Sequence, residues 1–231
     1  QSLQLAKSYN AMYPESKQFI GGALWHPFDH QRGYHPDPYW GGLLDAFRLP
    51  KYSYYMFKSQ MSPKVSIPNI DAGPMIFIAH EIGPYSEADV TVFTNCDEVR
   101  LIAYETDTMV QKVERAKFGM PNPPVVFKDV FQFERMRQYT YFEKNWQKVS
   151  LVVEGLIDGK VVCREKKMPS RRSTKLRLRL DDEGRRLVAN SSDFIPIICE
   201  VTDDSGNVRR LAKEQILFSI EGEGAIIGDD M

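Results

Sequence analysis

Val90-Thr91-Val92-Phe93-Thr94-Asn95-Cys96-Asp97-Glu98-Val99-Arg100-Leu101-Ile102-Ala103-Tyr104 is the stretch that decides the fold. Two runs of β-branched, aromatic and aliphatic residues flank Asn95 to Glu98, which predicts a hairpin. A second hairpin is expected from Val149–Val153 and Lys160–Cys163, which flank a segment ending in Asp158-Gly159, a dipeptide that accepts the positive φ of a two-residue turn. Between them, residues 106–147 carry Pro121-Asn122-Pro123-Pro124 and many aromatics without a clear period, read as strands around an exposed insertion. Lys166–Ser173 is charged, contains Pro169 and reads as a linker.

Beyond the linker, Leu176, Leu178 and Leu180 alternate with Arg177 and Arg179, a half-buried strand with one wet face. Phe194–Val201, the turn Asp203–Asn207 and Ile216–Ile220 add further strands at the spacing of a β-sandwich. Residues 64–168 and 173–231 therefore read as two sandwich units in series. The second is shorter than the ~100 residues an immunoglobulin-like sandwich uses and is expected to be incomplete.

Toward the start the character is different. Leu3, Leu5, Ala6, Tyr9 and Met12 recur near helical spacing and stop before Pro14, which predicts a helix over 2–13. The apolar run Phe19-Ile20-Gly21-Gly22-Ala23-Leu24-Trp25 follows, the pattern of a strand buried on both faces. Helix then buried strand is half of a parallel α/β repeat, and Tyr52–Lys58 reads as a closing helix. One such unit is far short of an eight-stranded barrel, so both ends read as cuts through larger structures.

The 231 residues are 42% hydrophobic and 26% charged, ordinary for a globular chain. A net charge of −1 and a pI near 6.5 supply no field to gather a polyanion, so neither nucleic acid nor an anionic membrane is an expected partner. No apolar run approaches the ~20 residues of a membrane span, and no targeting signal is visible. Cys96, Cys163 and Cys199 lie in β-like runs without metal spacing and read as buried thiols. If the parent is exported, a bridge between two of them stays open.

Chemistry concentrates in Trp25-His26-Pro27-Phe28-Asp29-His30-Gln31-Arg32-Gly33-Tyr34-His35-Pro36-Asp37-Pro38-Tyr39-Trp40, which holds three of the four histidines. At the exit of a parallel strand such residues sit where barrel enzymes build their sites. Aromatic faces stack on the apolar side of a sugar while carboxylates and imidazoles bind hydroxyls, so the mixture suits a carbohydrate. Two other readings are open to these residues. Trp25 can be a core aromatic, with His26 and His30 satisfying backbone groups in a long loop stiffened by proline. A metal site is disfavoured, because His26 and His30 flank Pro27 at a strand exit and not on one helix face. Thiol, GxSxG and phosphate-loop chemistry lack their residues.

With those residues in view, the chain resembles glycoside hydrolase family 2, the bacterial β-galactosidases and their relatives. Phe19 to Trp25 with Phe28-Asp29 resembles that family's eighth barrel strand and its exit. Gly41-Gly42-Leu43-Leu44-Asp45-Ala46-Phe47-Arg48-Leu49-Pro50-Lys51 is similar to the Gly, strand, Arg-x-Pro-Lys segment leading to the last barrel helix. Val90–Val99 resembles the strand of the sandwich after the barrel, and Leu217–Gly228 resembles a strand pair of the next one.

The resemblance implies a mainly β chain: residues 1–63 as the C-terminal end of a (β/α)8 barrel, then immunoglobulin-like β-sandwich units at 64–168 and 173–231, the last truncated. It implies part of a retaining exo-β-glycosidase, most simply a β-galactosidase, whose two glutamates stand about 5 Å apart and form a glycosyl-enzyme. Both are expected to leave earlier barrel strands, outside this chain, so no catalytic residue is assigned and the chain alone is expected to be inactive. The substrate-binding set carried over is Trp25, as a wall of the sugar subsite, and Asp29, with His26, His30 and Trp40 as neighbours. Asp37-Pro38-Tyr39-Trp40 stands where the glucuronidase branch has an Asn-x-Lys pair, which argues against a uronic acid. The expected partner is a carbohydrate substrate, with no cofactor and no metal. A homo-oligomer of the parent and a periplasmic or extracellular location fit the family. The alternative from another class is a non-catalytic β-sandwich interaction or carbohydrate-binding module.

Overall fold

The computed structural model describes residues 1–12, 22–68, 70–115, 119–182, 184–209 and 212–228. It divides into two compact units, Gln1–Pro169 and Ser170–Met231. The chain is mainly β.

The first unit contains α1 (Ser2–Met12), α2 (Tyr52–Lys58), β1 (Ile76–Ile78), β2 (Val90–Thr94), β3 (Glu98–Ala103), β4 (Asp107–Lys112), β5 (Val125–Phe127), α3 (Phe133–Arg137), β6 (Leu151–Ile157) and β7 (Lys160–Lys167). They form two antiparallel sheets, ordered β1-β2-β5 and β4-β3-β6-β7. Their facing sides share one core, built from Ile78, Val90, Val92 and Phe127 of the first sheet and Val99, Leu101, Leu151 and Val153 of the second. Alternation explains the register of β3, where Val99, Leu101 and Ala103 are buried and the intervening residues are half-buried.

The hairpin expected over 90–104 is corrected by this topology. Strand β2 pairs only with β1 and β5, whereas β3 pairs with β4 and β6. Asn95–Asp97 is therefore a crossover between sheets. Asn95 fixes it from inside: its side chain accepts from Met75 N at 2.8 Å and donates to the carbonyls of Met61 and Gly73. The second hairpin forms as the pattern requires, β6 pairing with β7 through Asp158 (φ 51°) and Gly159 (φ 72°).

Strand β2 is buried on both faces. Its second face explains what α1 and α2 do: Phe93 and Phe77 pack with Ala6, Met56, Met75 and Met120, and Tyr55 stacks on Phe77 with centroids 3.9 Å apart. Leu5, Ala6 and Tyr9 of α1, and Tyr52, Tyr55 and Met56 of α2, meet this cluster because i, i+3 and i+4 share a helical face. Burying one phenylalanine there contributes roughly 1.5–3 kcal/mol. Residues 106–147 are also more integrated than an exposed insertion. Val130, Phe131 and Met136 enter the sandwich core, and Gln132 N donates to the Tyr104 hydroxyl at 3.0 Å while Arg135 lies 4.3 Å over the Tyr104 ring.

The second unit pairs β8 (Lys175–Leu180) with β9 (Ile197–Thr202). Its turn is organised by Asp203, which accepts from the backbone of Arg171, Ser205 and Asn207 and from the Asn207 side chain. Two expectations fail here. Leu176, Leu178 and Leu180 are 58–64% exposed, because no second sheet among the described residues of this unit covers their face. Residues 216–220 form no strand.

Candidate functional site

The segment 27–51 folds back on itself through isolated bridges between Phe28 and Leu44, His30 and Tyr39, and Leu44 and Pro50. Its turns are local chemistry. Asp45 Oδ1 accepts from the backbone of Phe47 and Leu49, which lets Arg48 sit at φ 65°. Gly42 is required where it stands, because a Cβ there would lie 2.4 Å from the carbonyl carbon of Phe28 and 2.5 Å from Asp29 N.

Asp29 is the centre of this fold-back. Its side chain is 3% exposed and accepts from Gly42 N at 2.9 Å and from Lys51 Nζ at 2.9 Å on each oxygen. The same ammonium donates to the Trp40 carbonyl at 2.7 Å. Gln1 Nε2 adds bonds to the carbonyls of Gly41 and Gly42, tying the start of α1 to the segment. One ion pair thus joins Asp29, the Gly-Gly segment and the start of α2. Neither Lys51 nor Gly42 was singled out from sequence; the signal available was the Arg48-x-Pro50-Lys51 and Gly41-Gly42 pair of motifs.

The rings form a second group. His26 lies 4.5 Å from His30 and 4.7 Å from Tyr39 by centroid, and Trp25 meets His26 edge-on at 5.5 Å. Partial burial among these rings, with the charge on His30 second, holds the His26 imidazole below its ordinary pKa. Trp25 is 84% exposed and Trp40 63% exposed, so each offers an open aromatic face. His35 and Asp37 belong to the loop tip, where Arg32 Nη2 and Asp37 N both donate to His35 Nδ1.

The buried strand expected at 19–25 lies partly outside the described residues. Its described part, 22–25, is not a strand and is exposed, since none of the described residues covers it. Among the described residues no three His, Cys, Asp or Glu side chains converge as a metal ion needs. Glu81 lies apart from this group, accepting from Lys167 and Tyr52.

No protein-family profile matches the chain. Similarity to individual proteins is extensive. The β-galactosidase of Thermoanaerobacter pseudethanolicus is 31% identical over 221 residues, covering 91% of this chain and 28% of that protein. The β-galactosidase of Thermoanaerobacterium thermosulfurigenes is 29% identical over 231 residues, covering 95% of this chain and 30% of the relative. A solved β-glucuronidase from glycoside hydrolase family 2 superposes with a TM-score of 0.60 at 21% identity, over 91% of this chain and 20% of its own. Over most of its length the chain is thus similar to β-galactosidases and to members of glycoside hydrolase family 2. It spans under a third of the length of the curated relatives it matches.

Proposed function

We propose that this chain is part of a retaining exo-β-glycosidase acting on terminal β-galactosides, and that it supplies one wall of the sugar site. In this reading residues 1–63 complete a (β/α)8 barrel and the following β units are immunoglobulin-like. The two glutamates that protonate the leaving group and attack the anomeric carbon are contributed by earlier barrel strands. Trp25 stacks on the apolar face of the sugar ring. His26, at the edge of that face and with its pKa lowered by its surroundings, serves as a hydrogen-bonding group to hydroxyls.

Asp29 takes a different part from a direct sugar contact. Its oxygens are engaged by Gly42 and Lys51, so it positions the loop that carries Trp25 and Trp40. The observation that carries the proposal is this pairing of an exposed aromatic row with a buried clamp behind it. Open aromatic faces are what a pyranose needs, and a rigid backing spares the ordering cost on binding.

The purified 231-residue chain should show no turnover of an aryl β-galactoside, while a protein that adds the preceding barrel strands should hydrolyse it with retention. Retained-product turnover by the 231-residue chain, with contaminating enzyme excluded, would defeat the proposal that the glutamates lie elsewhere. A complete barrel protein that bound galactosides without cleaving them would favour the non-catalytic module.

A further inference from the structure

Cys96 and Cys163 are far apart in sequence and adjacent in space. Their sulfurs lie 3.5 Å apart across 67 positions, Cys96 in the crossover between the two sheets and Cys163 on the edge strand β7. The approach depends on one residue. Gly155 is the direct ladder partner of Cys163 on β6, and a Cβ placed there would lie 2.6 Å from Cys96 Sγ and 2.7 Å from Cys163 Sγ. Glycine weakens a strand interior, so its presence at a ladder position needs a local reason. Here the reason is the space the two sulfurs occupy. The ladder also slips between Gly155 and Leu156, which turns this corner of the sheet toward the crossover.

From this geometry we infer that Cys96 and Cys163 form an oxidisable dithiol that closes to a disulfide by exchange with an external disulfide. A bond of ~2.04 Å is reached from 3.5 Å by small side-chain rotations, since each sulfur already faces the other with nothing between. Access is one-sided: Cys96 is buried and Cys163 is part-exposed. The Cys163 thiol hydrogen bond lowers the Cys96 thiol to about 7 against the opposing effect of burial, with the Thr94 hydroxyl assisting, and the remaining proton is held on Cys163. As the accessible Cys163 attacks a disulfide R–S–S–R, its proton passes to the Cys96 thiolate, Cys163–S–S–R forms and RS⁻ is released. That RS⁻ takes the proton from Cys96 and leaves as RSH; the Cys96 thiolate then attacks Cys163 Sγ, the bond to R breaks, and a second RS⁻ leaves. It takes from solvent the proton that the pair gave up on forming the thiolate, so the two cysteine protons are balanced by two RSH, the pair is oxidised and the external disulfide is reduced. The resulting link would tie the edge strand to the crossover, beside the point where Glu165 Oε2 accepts from Ile78 N and joins the two sheet edges. Cys199, alone in the second unit, has no such counterpart there.

The test equilibrates the 231-residue chain with oxidised glutathione, alkylates under denaturing conditions and maps peptides by mass. The expected result is loss of two hydrogens, one Cys96–Cys163 linked peptide and an alkylatable Cys199 in linear form. In Gly155→Ala the methyl intrudes between the sulfurs, and linking should slow by roughly tenfold or more. If that variant does not fold, Cys96→Ser takes its place and should stop at a Cys163–glutathione adduct. Cys96 and Cys163 both alkylatable after equilibration, or a linked peptide containing Cys199, would overturn the inference.

Discussion

Replacing Asp29 by Ala removes the carboxylate that holds segment 27–51 together. Gly42 N–H is left buried without its acceptor, which costs ~1–3 kcal/mol. Breaking a buried ion pair from one side costs ~3–5 kcal/mol, but the Lys51 side chain is 25% exposed and regains part of its hydration, so we take ~1–2 kcal/mol for that part. The sum is ~2–5 kcal/mol, or a loss of roughly 30- to 5000-fold in hydrogen-exchange protection where opening is local. Exchange read by mass over peptides covering 27–51 and 90–104 separates the two regions. Protection should fall in the first and hold in the second, whose core is formed by other residues. Asp29→Asn keeps an acceptor for Gly42 and should lose about half as much. In Asp29→Asn with Lys51→Met both charges are gone, and the double variant should be more protected than Lys51→Met alone. Unchanged protection over 39–51 in Asp29→Ala would refute the clamp, as would an equal loss throughout the sandwich.

Glu165 gives a pH dependence of the opposite sign to most carboxylates. Burial raises its pKa above 4.5, so its contribution is fully present below that value and is lost as pH rises through the raised folded value; Glu165→Gln, which keeps the acceptor for Ile78 N, should raise the urea midpoint at pH 7 and flatten the profile above pH 4.5. Asp203→Ala should lower the stability of the second unit by ~2–3 kcal/mol, seen as lost exchange protection over 171–209 with the first unit unchanged. Oxidation of the Cys96–Cys163 pair closes a loop spanning 67 positions and should stabilise the first unit by about 4 kcal/mol in the chain-entropy description, measured as the difference in unfolding free energy between oxidised and reduced protein.

The elements legible in sequence were those whose cause is local. Helix α2 and the β6–β7 hairpin follow from i, i+3, i+4 aromatics and from an Asp-Gly turn, and both form where expected. Asn95–Glu98 carries the same local signal as a turn, yet it crosses between sheets because the partners of β2 lie at 76–78 and 125–127. The leucines of β8 show the same limit: alternation predicts which face is apolar, not whether anything covers it. At the candidate site the residue types were readable from Trp25 to Trp40. The Asp29–Lys51 pair was not, because 22 positions of irregular chain separate its members and no periodicity connects them.

The central claim, that Trp25 is a sugar platform, is tested most directly by kcat/KM for an aryl β-galactoside in the complete enzyme measured together with the unfolding free energy of the 231-residue chain, each with and without Trp25→Ala. An indole that is 84% exposed in this chain holds little of it together, so Trp25→Ala should change the stability of the 231-residue chain by less than ~1 kcal/mol. Loss of an aromatic surface that becomes buried on the sugar removes ~1.5–3 kcal/mol of binding, so kcat/KM should fall by roughly 10- to 150-fold. A stability loss of ~3–5 kcal/mol with kcat/KM of the folded enzyme unchanged would contradict the account and make Trp25 a core residue.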